Sequence, residues 1–111
     1  MAGPAERLVA EAGRRVAATD AGGRVLTLRR LDALDRLRLF KALGATLSMN
    51  APYLGMALLA SAVTEIDGVP VPAPVTEEQV EALVRRLGDA GIAAVADALD
   101  GAGPEAADPG N

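Results

Sequence analysis

The stretch NAPYLGMALLASAVTEIDGVPVPAP, Asn50 to Pro74, decides the fold. It begins as a helix and ends as a turn followed by three prolines. Asn50 has the side chain of a helix N-cap, an oxygen placed to accept from a free backbone N–H of the first turn. Pro52 falls in that turn, where a missing N–H costs nothing. From Tyr53 to Val63 no residue is charged. A helix apolar all round reads as a central core helix, and one partly open to a partner is the alternative. The uncharged run is too short to cross a bilayer, which needs ~20 apolar residues. Asp67-Gly68 then sits between two short β-prone pieces and signals a tight turn. Pro70, Pro72 and Pro74 favour an extended connector beyond it.

On the C-terminal side, Thr76-Glu77-Glu78-Gln79 has the pattern of a capping box. Val80, Leu83, Val84 and Leu87 follow at helical spacing, so a helix is predicted from Thr76 to Gly88. A last helix is expected from about Asp89 to Leu99, with Ile92, Val95, Ala96 and Leu99 on one face. Residues 101–111 are Gly, Pro, Ala and acidic residues, and read as a disordered acidic tail.

On the N-terminal side, Asp32 opens a predicted helix to Leu43, with Asp35 at the third position after the cap. Ala33, Leu34, Leu37 and Phe40 form its main apolar stripe, and Gly44 is its expected stop. Asp32 and Arg36 have i,i+4 spacing for an ion pair. Leu39 falls off the stripe, as either a second core contact or part of a docking surface. Further back, Asp20-Ala21-Gly22-Gly23 separates Arg14–Thr19 from Arg24–Arg30, which predicts a β-hairpin. A short, fraying helix over residues 1–13, started by Pro4 and ended by Gly13, is expected before it, and continuation of that helix to Ala18 is the competing reading. Residues 1–13 read as a flexible N-terminal segment with few apolar positions. Residues 14–100 are expected to form one α-rich domain. The fold class expected is mainly α with minor β content: about four helices, a short N-terminal hairpin and a Pro-rich connector.

Composition narrows the chemistry. Among 111 residues there is one Phe and one Tyr, and no Trp, Cys or His. Disulfides, thiol nucleophiles, imidazole bases and the usual zinc ligands are therefore excluded together. No basic segment followed by an apolar run stands at the N-terminus, so no secretory signal is expected. Residues 1–50 carry nine basic and five acidic side chains, and residues 51–111 carry two and ten. A basic front could mark a nucleic-acid face, but no aromatic platform accompanies it and the net charge is −4. Protein docking or intramolecular complementarity accounts for it equally well. Asp32 with Asp35, and Glu65 with Asp67, could be written as acid–base or metal pairs. A cap, a strand face and a turn account for them, and nothing implies the concave pocket that catalysis needs.

Several pieces then stand in a distinctive order: Gly23-Arg24 before LTLRRLDALDRLRL, Asn50-Ala51-Pro52-Tyr53, Ala62–Pro70 with its IDG-x-P, and Leu87-Gly88-Asp89-Ala90-Gly91. Together, over roughly residues 20–100, the chain resembles the tail assembly chaperones of long-tailed bacteriophages and prophages. The resemblance implies a non-enzymatic protein of the host cytoplasm, without cofactor or metal. It implies binding to the tape-measure protein and help in tail tube assembly, with the tail tube subunit and a second copy as further partners. Neither a membrane nor nucleic acid is an expected partner. The alternative is a structural head or tail adaptor or completion protein retained in the virion. The partner-binding residues expected are Leu39, Phe40, Tyr53 and Met56. Aromatic rings bring large contact area at low entropic cost, and Met adapts to varied partners. The competing reading places these side chains in the domain's own core.

Overall fold

The structure, a computed structural model, describes residues 15–101. The expectations for the N-terminal segment and for the tail beyond Gly101 lie outside the described residues. Two strands open the fold, β1 (Arg15–Thr19) and β2 (Val25–Arg29). Two helices follow, α1 (Ala33–Ser48) and α2 (Ala51–Ser61). Then come β3 (Val63–Ile66), β4 (Val69–Pro70) and α3 (Glu77–Gly101).

The architecture is mixed α+β, which corrects the expectation of about four helices with a lone hairpin. All four strands form one antiparallel sheet in the order β1-β2-β3-β4. β1 pairs with β2 from Arg15↔Arg29 to Thr19↔Val25, as the Gly-Gly turn predicts. β2 also pairs with β3, through Leu26↔Ile66 and Thr27↔Glu65, and the register shifts between Thr27 and Leu28. Thr64 spans this irregularity by donating its hydroxyl to the Thr27 carbonyl at 3.1 Å. The Asp67-Gly68 turn closes β3 on β4, with positive φ at both residues (51° and 81°). It is also tied back to β2: the Val25 N–H donates to the Asp67 carboxylate at 2.9 Å, and the Asp67 N–H to the Val25 carbonyl at 2.7 Å. That second tie recruits the later hairpin into the first.

The helix count is three because the last two expected helices are one helix kinked at Gly88, and the kink at Gly44 only lengthens α1. Gly44 and Gly88 leave helical geometry, yet the chain resumes its helix beyond each. The predicted caps form. Asp32 and Asp35 exchange reciprocal side-chain-to-backbone bonds. Asn50 accepts from Tyr53 N–H at 3.1 Å. Thr76 accepts from Gln79 N–H, while the Gln79 side chain reaches one residue further back than expected, to Val75 N–H. Arg36 does not pair with Asp32; its guanidinium donates to the Leu31 carbonyl.

Two apolar clusters hold the layers together. One joins the sheet to α2 and α3 through Leu26, Leu28, Ala60, Ile66, Leu87 and Val95. The other joins the three helices through Leu39, Leu43, Ala57 and Val80. Val84 packs against both. Leu26, Leu28, Leu87, Val80 and Val95 are fully enclosed, and burial of each stabilises the fold by about 1.5–3 kcal/mol. α2 is not enclosed on all sides: Ala57 and Ala60 are buried, whereas Gly55 and Met56 face solvent. Among the described residues no helix is long and apolar enough to cross a membrane.

Candidate partner-binding surface

α1 turns an unexpected face to the core. At 3.6 residues per turn, Leu39 and Leu43 share one side, and Ala33, Leu34, Leu37 and Phe40 share another. The side that packs is Leu39 and Leu43, 4% and 6% exposed. The main apolar stripe is turned toward solvent instead, with Leu34 at 50%, Leu37 at 63% and Phe40, an expected partner-binding residue, at 38%. Both acidic residues of α1's start are engaged at its N-terminus. Asp32 caps, and Asp35 takes the Arg29 guanidinium at 2.9 Å. That contact holds the Asp35 carboxyl below the usual carboxylate range against the opposing effect of burial. The remaining charged groups of the helix are basic. Arg36 borders the apolar stripe on one side and Arg38 borders it on the other, and Lys41 falls within its arc, one turn beyond Leu37. Arg38 and Lys41 have no ion-pair partner among the described residues. They line one wall of a cleft of about 610 Å³, and Glu77 and Glu78 line the opposite wall.

The four residues expected to bind a partner divide. Leu39 is interior and belongs to the helical cluster, so it is withdrawn from the surface. Phe40 is exposed on α1. Tyr53 and Met56 meet in a shallow apolar groove of about 240 Å³ between α2 and α3, together with Ala57, Val80, Glu81 and Val84. Phe40 is not part of that lining. The Tyr53 hydroxyl donates to Glu81 Oε2 at 2.7 Å, which fixes the ring at the groove's edge. Its pKa is pushed up to about 12, first by desolvation and then by the Glu81 carboxylate.

Leu34 and Leu37 are surface residues that the sequence reading assigned to the core. A usable signal was present. Leu39 and Leu43 form a second apolar pair at i,i+4, so α1 has two apolar faces and its own domain covers one.

Of the ordered pieces that carry the family resemblance, LTLRRLDALDRLRL runs into α1 and NAPY ends on Tyr53, while Gly23-Arg24, the IDG turn and Leu87–Gly91 have structural uses. Arg24 donates Nε to the Asp20 carboxylate at 2.8 Å, Nη1 to the Arg86 carbonyl at 2.9 Å and Nη2 to the Leu87 carbonyl at 2.7 Å. It thereby satisfies carbonyls freed where Gly88, at φ +67°, interrupts α3. Asp20 is buried, and its pKa is lowered chiefly by the Arg24 hydrogen bond, with burial opposing. Gly91 lies directly beneath: a Cβ there would stand 2.9 Å from Leu87 Cβ and 3.3 Å from Arg24 Nη2. Gly23-Arg24 and Leu87–Gly91 are thus the two halves of one clamp, and the IDG piece is the turn that binds β2. Among the described residues, no three His, Cys, Asp or Glu side chains gather where a metal ion could sit. In comparisons with known proteins, no family model, no curated protein and no solved structure matches this chain.

Proposed function

We propose that this chain is a non-enzymatic tail assembly chaperone of a long-tailed phage or prophage, acting in the host cytoplasm. In this reading it covers an apolar helical stripe of the tape-measure protein until tail tube subunits assemble around it. The observation that carries the reading is the apolar face of α1, with Leu34, Leu37 and Phe40 left in water. An amphipathic helix whose apolar face has no cover among the described residues is the form taken by one half of a helix–helix contact. The motif resemblance supports the same reading and supplies the partner's identity. The tail tube subunit and a second copy of the chain are subsidiary partners.

Co-expression tests it. The protein should raise the soluble yield of the tape-measure protein encoded beside it and co-purify with it. Absence of association with tape measure or tube subunit at every salt concentration refutes the reading. Mass spectrometry of purified particles separates the alternative, because a head or tail adaptor stays in the virion and a chaperone does not.

A further inference from the structure

We infer that the exposed face of α1 docks an acidic amphipathic helix, one whose apolar stripe is flanked by Asp or Glu. The inference deepens the partner-binding reading above and rests on α1 being the contact face, not on the identity of the partner. Leu34, Leu37 and Phe40 rise along about 9 Å of helix, which matches two turns of a single opposing helix. Arg36 on one flank and Arg38 on the other make both edges of that stripe positive, and Lys41 adds a further positive charge one turn beyond Leu37. A helix with acidic flanks meets opposite charge along both edges, and a helix with basic flanks meets like charge.

Two other occupants fit less well. A symmetric pairing of α1 with α1 of a second copy would set the same basic residues against each other, because a two-fold interface places each patch on itself. An anionic bilayer would spread over much more of the surface than the stripe. It would meet a molecule whose net charge is −4 and whose Glu77 and Glu78 stand across the cleft from Arg38 and Lys41. A docked helix about 10 Å wide covers the stripe and its basic rim, while Glu77 and Glu78 belong to α3, across the cleft.

The probes are three designed helical peptides of about five turns: one with a Leu stripe and Glu flanks, one with the same stripe and Lys flanks, and one with Glu flanks and Ser in place of Leu. Each is titrated into the full-length protein by calorimetry. Only the first should bind. Leu34→Ser with Leu37→Ser should weaken it by roughly tenfold or more while the protein stays folded, because both side chains are at least half exposed. Replacing Arg36, Arg38 and Lys41 by Gln should weaken it by about tenfold at low salt and little at high salt. Equal binding of the Lys-flanked peptide, or indifference to both sets of substitutions, overturns the inference. So does concentration-dependent self-association through α1, or capture by phosphatidylglycerol vesicles in preference to the Glu-flanked peptide. Peptide binding without tape-measure co-purification leaves the inference standing and removes the proposed function. Tape-measure binding that ignores the α1 substitutions does the reverse.

Discussion

Adding one methyl group at Gly91 should destabilise the protein, although the same change at Gly55 should stabilise it. Both glycines lie within helices. In an uninterrupted helix, Cβ positions four residues apart are roughly 5–6 Å from each other. The break at Gly88 reduces the distance from a Cβ at position 91 to Leu87 Cβ to 2.9 Å. Leu87 is fully buried and its Cβ is fixed to the backbone, so it cannot move aside as a flexible chain end would. Overpacking of this kind costs about 1–3 kcal/mol. The better helix propensity of Ala returns up to ~1 kcal/mol. Gly91→Ala is therefore expected to cost up to about 2 kcal/mol, a fall of up to roughly 8–16 °C in Tm for a domain of this size. At Gly55 nothing lies within 4 Å of the added carbon. Only the propensity gain remains, about 0.5–1 kcal/mol. Gly88→Ala is the third member of the set. It has open space, but φ of +67°, and the left-handed conformation costs a residue with a Cβ roughly 1–2 kcal/mol. Thermal unfolding followed by circular dichroism, with urea titrations to check that the m-value is constant, measures all three. If Gly91→Ala raised the Tm as Gly55→Ala does, α3 would not fold back on Leu87 and Arg24, and the clamp would be refuted.

Three further outcomes are expected. The single Tyr makes phenolate absorbance a one-site titration, with a midpoint at about 12; Glu81→Gln should lower it toward ~10. Because the folded pKa is the higher one, this contribution to stability is complete below pH ~10 and is lost as pH rises toward the folded value. Asp20 and Asp35 have folded pKa values below their usual ones, so their contribution is complete above pH ~4 and is lost as pH falls through those lower values. Urea midpoints against pH should fall less steeply in acid for Asp20→Asn than for the parent chain. Leu83→Asp puts an unpaired charge where the side chain is 6% exposed; it should cost more than ~4 kcal/mol, and a folded variant by circular dichroism would contradict the packing of α3.

Local signals in the sequence were legible, and long-range ones were not. The caps at Asp32, Asn50 and Thr76 depend on residues three or four apart, and they form. The Gly22-Gly23 and Asp67-Gly68 turns depend on backbone geometry within a few residues, and they form too. The pairing of Leu26 with Ile66 depends on two segments that carry no mutual mark in the sequence, so the four-stranded sheet was read as a hairpin and a connector. Nothing in the sequence marks Arg24 as part of a clamp, because its partners, the Arg86 and Leu87 carbonyls, are backbone atoms with no residue-type signature. On α1, periodicity identified an apolar stripe correctly but could not say what it faced. Burial of Leu39 in its place follows from where α2 and α3 lie. Tyr53 and Met56, both named among the expected partner-binding residues, share a surface groove.

The position of β2 between β1 and β3 also has a consequence during synthesis. β1 emerges from the ribosome just ahead of β2, so that hairpin can close at once. The other edge of β2 waits for β3, because Leu26 and Ile66 are forty residues apart. At about 5–20 residues per second, that edge stands open for roughly 2–8 s on each nascent chain. On a crowded messenger, neighbouring chains present the same open edge and, shortly afterwards, the same β3. Exchange of strands between chains then competes with closure within one chain. The Asp67-Gly68 turn biases that contest, since it delivers β3 and β4 together and bonds to Val25 of β2 through the Asp67 carboxylate and N–H.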